Sequence, residues 1–193
     1  SVVDGLFAEQ IRGAGFEGED FSTYWESFSD RGRVEIADAE FENGKKSVRL
    51  RAQGGRAGIR QGRLFVDAGH EYDGSLWVRR EQGSPQLTLR VQGSNGEPIA
   101  SVPLALTAGS GWQEVGYSFT SSVRDTQATV EIAAAGRGTL LLDFVSLMRA
   151  DVRRDAGDHH PLRLQVLEQE REGRVVEAGV LRLQHEVVVR LRP

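Results

Sequence analysis

Apolar and polar residues alternate with a period of two along much of the chain, and no other feature constrains the fold as strongly. In "SVRLRAQ", Ser47 to Gln53, Val48, Leu50 and Ala52 share one parity while Arg49, Arg51 and Gln53 share the other. "QLTLRVQG" repeats the pattern with Leu87, Leu89 and Val91, "ATVEIAA" with Val130 and Ile132, and "HEVVVRL" near the end of the sequence does the same. Successive side chains of an extended backbone point to opposite faces, so such runs become ribbons with one dry and one wet side. The runs are short and bounded by turn formers, as in "GSNGEP" and "TAGSGW". Roughly ten to twelve of them recur at the 8–12-residue spacing of a sandwich. The expected fold is all-β, an antiparallel β-sandwich.

Little competes with that reading. "GLFAEQIRGAGF" sets Leu6, Phe7, Gln10 and Ile11 at helical spacing before Gly13 and Gly15, which allows a single helical turn or a loop. There is no βαβ alternation and no glycine-rich phosphate loop. The 23 glycines against 5 prolines favour many tight turns over a disordered linker. With no cysteine, disulfides and thiolate metal sites are excluded. A formal charge of −4, with basic and acidic residues interspersed, gives no electrostatic case for nucleic acid. No apolar run approaches the ~20 residues of a membrane span. No signal peptide opens the sequence; an extracellular location is the expectation for a mature chain whose leader has been removed.

Composition shifts near Asp151, where "RADVRRDAGDHHP" is polar and turn-like. Residues 1–150 are read as the main sandwich. Residues 151–193 are read as appended strands, "LRLQVLEQ", "RVVEAGVLRLQ" and "EVVVRLRP", docked on the same sheets or part of a second small sandwich. The adjacent His159 and His160 point to opposite sides of an extended segment and make a poor metal pair.

One residue breaks the apolar pattern. Asp143 lies inside "GTLLLDFVSL", where an unpaired carboxylate would cost several kcal/mol to bury. It needs a cation, main-chain amides or an arginine.

The order of landmarks from Gly15 onward is specific: "GFEGEDFSTYW", "ENGKKSVRLRAQ", "AGIRQ", "AGHEYDGSLWVRR", "GWQEVGYSFT" and "GTLLLDFVSL". That series resembles the carbohydrate-binding modules of families 4, 9 and 22, which share a galactose-binding-like jelly roll. A narrower resemblance links "DGLFAEQIRGAGFEG" and the tail "GVLRLQHEVVVRL" to family 51 α-L-arabinofuranosidases, without their catalytic barrel. The resemblance implies non-catalytic polysaccharide binding. A glycoside hydrolase catalytic domain is the further partner it implies, and an accessory scaffold that binds no sugar by itself is the alternative role. It also implies a structural calcium (Ca2+) held by Glu17, Asp143 and main-chain oxygens of the turn from Asn43 to Ser47, Asn43 and Lys45 among them. A calcium ion takes 6–8 oxygen ligands and would compensate Asp143. Where the family often has two adjacent acids, the second position here is Phe144.

Sugar recognition joins an aromatic platform to fixed polar groups. Trp25 follows the "FE" motif at the spacing of a tryptophan that packs in the family core, and Trp112 sits at a strand entry, so both are read as packing. Trp77 shares the polar parity with Asp73, Ser75 and Arg79, so it is either a solvent-facing platform or a cover for the second sheet. Arg60 and Gln61 of "AGIRQ" and Gln92 of "QLTLRVQ" add polar candidates. If their strands line one concave face, Arg60, Trp77, Arg79 and Gln92 converge there, with Tyr24 as a loop contact. Glycoside hydrolysis needs two carboxylates at a set separation, and no motif singles out such a pair among the 28 acids. No catalytic residue is expected.

Overall fold

The computed structural model describes residues 9–17, 20–41, 44–151, 178–183 and 186–191. The chain divides into two compact units, residues 1–154 and 155–193.

In the first unit the alternating runs form seven antiparallel strands. These are β1 (Glu26–Phe41), β2 (Gly44–Val66), β3 (Glu71–Gly83), β4 (Gln86–Gln92), β5 (Pro98–Leu104), β6 (Trp112–Thr120) and β7 (Asp125–Arg149). Three of them are far longer than ordinary strands, at 16 residues for β1, 23 for β2 and 25 for β7. Each serves two sheets. A front sheet runs β1-β2-β7-β3-β6, using residues 32–41, 44–53 and 138–149 of the long strands. A back sheet runs β1-β2-β7-β4-β5, using residues 26–30, 55–66 and 125–135.

The bend between the sheets falls on one line across the three strands. The register slips between Asp30 and Gly32 in β1 and between Gln53 and Gly55 in β2. At that line Arg31 has φ 49°, Gly54 φ 91° and Gly138 φ 150°. These left-handed values are natural for glycine, and the irregularities kink a ribbon without ending its ladder. The inward parity switches there: Val48, Leu50 and Ala52 face the core before the bend of β2, and Ala57 and Ile59 after it. Nine strands therefore stand among the described residues, where the sequence suggested ten to twelve. Runs that read as separate strands on either side of a glycine are continuous.

The two sheets close on one apolar core. Val48, Leu50, Leu76, Val78, Leu140 and Leu142 of the front sheet meet Ile59, Leu64, Leu89, Val91, Val130 and Ile132 of the back sheet in a single cluster. Residues 9–17 seal one end. Instead of a helical turn, Glu9 bridges to Met148 and the Gln10 N–H donates to the Leu147 carbonyl at 2.8 Å. The buried Gln61 holds Arg12 by both main-chain groups, at 2.9 Å each way. A five-residue helix, α1 (Asp20–Tyr24), follows; it is too short to show a periodic signature. Trp25 lies in the core as expected, its ring 5.6 Å from that of Phe16 and its indole N–H donating to the Gly13 carbonyl.

In the second unit, β8 (Ala178–Leu183) pairs antiparallel with β9 (Glu186–Leu191). The first of the three tail pieces, together with His159 and His160, lies outside the described residues.

Candidate functional site

The outward face of the front sheet is recessed. Ala37, Ser47, Thr139, Leu141 and Asp143 all have outward parity, yet all are buried. Ala37 and Leu141 form a small apolar cluster with Trp112 packed against it, although they come from the first, third and fifth strands of the sheet. Strands two apart in a flat sheet lie about 10 Å from each other, so these contacts require the sheet to curl around its outward side. The residues that face solvent along this hollow come in rows, one across each ladder position. Trp77 stands between Asp143 and Glu114, and Arg79 stands between Leu141 and Trp112.

Aromatic and charged groups wall the middle of the recess. The Arg79 guanidinium sits over the half-buried Trp112 ring, 5.3 Å from its centroid, an attractive cation–π arrangement. Next to them Arg49 joins two strands: its Nε and Nη2 donate to Glu81 at 2.7 and 3.0 Å, and its Nη1 donates to Glu35 at 3.1 Å. These hydrogen bonds hold both carboxyls below their ordinary range. Along the β3–β6 rim, Asp73, Ser75, Glu114 and Ser118 line a shallow hollow of about 660 Å³. At the bend, Arg51, Gln53, Gln82, Arg137 and Thr139 line another of about 510 Å³.

Asp143 occupies the floor beside Trp77. A β-bulge at Phe144, which has φ 45°, sets two residues of β7 against Leu76, because Trp77 pairs with Asp143 and Ser75 with Ser146. The bulge switches the core-facing parity from Leu142 to Val145 and leaves Phe144 exposed. Asp143 itself is fully buried; it accepts from the Ser47 hydroxyl at 3.0 Å and from the Phe144 N–H at 2.8 Å. Burial pushes its carboxyl up to about 6, and the nearby charge of Glu17 pushes the same way. Glu17 accepts the Lys45 and Lys46 N–H groups at 2.7 and 2.9 Å.

The structure brings Trp77 and Arg79 together on this face, where Trp77 has solvent rather than the back sheet on its outward side. Arg60 and Gln92 do not join them. Beyond the bend at Gly54, β2 belongs to the back sheet, so Arg60 pairs there with Glu131 and holds Glu26 at 3.0 Å. Gln92 lies on β4, which never enters the front sheet. The expected convergence of all four is thereby corrected: the core separates the two pairs. Tyr24 is exposed at the end of α1, outside the rows of the recess. Among the metal candidates, Glu17 and Asp143 come near each other and Lys45 enters through its N–H. Asn43 lies outside the described residues. Trp112, assigned to packing from its place at a strand start, does pack, on Ala37 and Leu141, and it does so on the outward face. Its signal was parity, since Val115 and Tyr117 face inward two and four residues on from Gln113, leaving Trp112 on the other side.

No protein-family model matches the sequence, and no curated protein matches it. Solved structures do match in fold. One is the bacteriophage CBA120 tailspike protein 4 enzymatically active domain, at TM-score 0.60 and 12% identity over 74% of this chain. Another is the carbohydrate-binding module TmCBM61 in complex with β-1,4-galactotriose, at TM-score 0.54 and 20% identity, covering 73% of this chain and 98% of that one. A third is the CBM22-1–GH10 region of Clostridium thermocellum endo-1,4-β-D-xylanase 10B complexed with xylohexaose, at TM-score 0.54 and 19% identity over 74% of this chain. The chain spans 21% of the tailspike chain and 29% of the xylanase chain. The fold is the jelly-roll β-sandwich of carbohydrate-binding modules, of the kind found in families 4 and 22.

Proposed function

We propose that this chain is a non-catalytic carbohydrate-recognition module that lays a polysaccharide along the front-sheet recess. The observation that carries the reading is the placement of Trp77 and the Arg79-capped Trp112 in adjacent rows of a curled, outward-facing hollow. Pyranose rings present a C–H face that stacks on indole and hydroxyls that bond to charged and amide side chains. The recess offers both, on a sheet that needs no rearrangement to receive a chain. The neighbours' β-1,4-galactotriose and xylohexaose make galactan and xylan the first probes. A glycoside hydrolase catalytic domain belongs to the proposal as partner, because the xylanase neighbour carries its module beside one.

Affinity gels and calorimetry on these polymers test the reading. Trp77→Ala and Trp112→Ala are each expected to weaken binding by roughly 30-fold or more while the protein stays folded, as buried aromatic anchors do. A folded wild-type chain that ignores a broad glycan panel would move the assignment to an accessory scaffold that binds no sugar.

We further infer a structural calcium at Asp143 and Glu17. Among the described residues no lysine or arginine side chain forms an ion pair with Asp143, and a second carboxylate stands near enough to raise its proton affinity. A buried carboxylate on a strand and an exposed one that repels it, Asp143 and Glu17, fit a hard divalent cation. Among the described residues no three His, Cys, Asp or Glu side chains gather at one point. The remaining ligands would therefore be main-chain and water oxygens, which calcium accepts.

A further inference from the structure

We propose that the end of the recess at the sheet bend binds the negative group of an acidic polysaccharide, a uronate carboxylate or a sulfate ester. The inference rests on the glycan-binding reading of the same face and adds the class of glycan.

The contrast between neighbouring arginines carries it. Arg49 is neutralised by Glu35 and Glu81, and Arg33 by Glu35 at 3.2 Å. One row nearer the bend, Arg51 opposes Thr139, and Gln53 opposes Arg137. Arg51 and Arg137 are therefore diagonal cross-strand neighbours on one face, about 7–8 Å apart. Both are exposed, and among the described residues neither forms an ion pair; Arg51 lies near enough to Glu35 and Glu81 to help lower their carboxyls, without the direct hydrogen bonds that Arg49 makes to them. Like charges so placed repel each other. The chain as a whole is acidic at −4, so this positive spot is local and not a general attraction for anions.

The surroundings match a sugar acid more closely than a free anion. Both arginines border the hollow of about 510 Å³, and Gln53, Gln82 and Thr139 share its lining. A guanidinium fork takes a carboxylate or sulfate through paired N–H donors, while amide and hydroxyl groups suit ring hydroxyls. The hollow continues the Trp77 and Trp112 rows along β7 at two-residue steps, from Asp143 through Leu141 and Thr139 to Arg137. One polymer can then stack at the middle of the recess and place a charged substituent at its end.

The test compares glucuronoxylan with its carboxyl-reduced form, and a sulfated galactan with the unsulfated galactan, by affinity gel and calorimetry at fixed ionic strength. Wild type is expected to bind one acidic polymer about tenfold more tightly than its neutral counterpart. In Arg51→Gln/Arg137→Gln, whose sites are exposed and whose melting curve serves as the folding check, that ratio should fall to near one. The carboxylate and sulfate arms identify which anion is recognised. Equal wild-type affinity for charged and neutral polymers, or a preference that survives in the double variant, overturns the inference and leaves glycan binding standing. Silence toward all four polymers from folded protein overturns both readings together.

Discussion

Replacing Gly74 by alanine is expected to lower the melting temperature by about 10 °C, corresponding to roughly 3 kcal/mol for a chain of this size. Gly74 lies in the middle of the front sheet, paired with Tyr117 on one side and Leu147 on the other. A β-carbon there would stand 1.9 Å from the Ser146 carbonyl oxygen, 2.9 Å from its carbon and 3.0 Å from the Tyr117 ring. The obstacle is backbone, which cannot swing aside as a side-chain tip can. The same carbonyl accepts the buried Tyr117 hydroxyl, so displacing it also strips a hydrogen bond from a group that water cannot reach. Gly116→Ala is the control, because its nearest obstacle is the Gly74 oxygen at 3.9 Å. Thermal unfolding followed by circular dichroism reads both. A Gly74→Ala protein melting within two or three degrees of wild type would mean that β3 and β7 do not approach this closely.

Chelation is expected to expose a loss of stability with rising pH at Asp143 that bound calcium abolishes. Its carboxyl ionises near 3.8 in an unfolded chain and near 6 in the folded one. Between those values the folded state holds a proton that the unfolded state has released. Rising pH through this window therefore destabilises the fold, by at most about 3 kcal/mol, and the penalty is constant above it. Glu35 and Glu81, held low by Arg49, act in the opposite direction at lower pH: their stabilisation is present above the unfolded value and is lost on acidification. Asp143→Asn separates the two effects. Denaturant titrations at pH 4 to 7 in EDTA should show wild type losing stability relative to Asp143→Asn as pH rises. With calcium added the loss should vanish in wild type, and the variant should not respond. Wild-type stability at pH 7 that is indifferent to both calcium and EDTA would remove the calcium assignment.

The two-residue period made the β-sandwich legible, because alternation is a local property that survives folding unchanged. Which strands share a sheet was less legible. Gly54 and Gly136 to Gly138 read as strand ends, whereas they are bends through which β2 and β7 continue, and the grouping of Arg60 with Trp77 failed on that point. Asp143 stood out from its apolar neighbours, yet its partners, Ser47 on another strand and Glu17 before the first one, are distant in sequence. Parity puts Trp112 on the outward face, but its contact with Leu141 was not legible, because curvature brings the two together from two strands apart. No run of residues encodes curvature; it follows from the twist and bulges of the assembled sheet.

The shared strands carry a consequence for how the sandwich opens. In a sandwich of two independent sheets, one layer can loosen while the other persists, and amide exchange then reports two different opening energies. Here β1, β2 and β7 pass through the bend without a break in the chain, so peeling either layer pulls on the other. Amides of Val48–Ala52 and of Ala57–Gln61, on opposite sides of Gly54, should therefore exchange with a single protection free energy, as members of one cooperative unit. The hollow would then keep its shape until the whole domain unfolds.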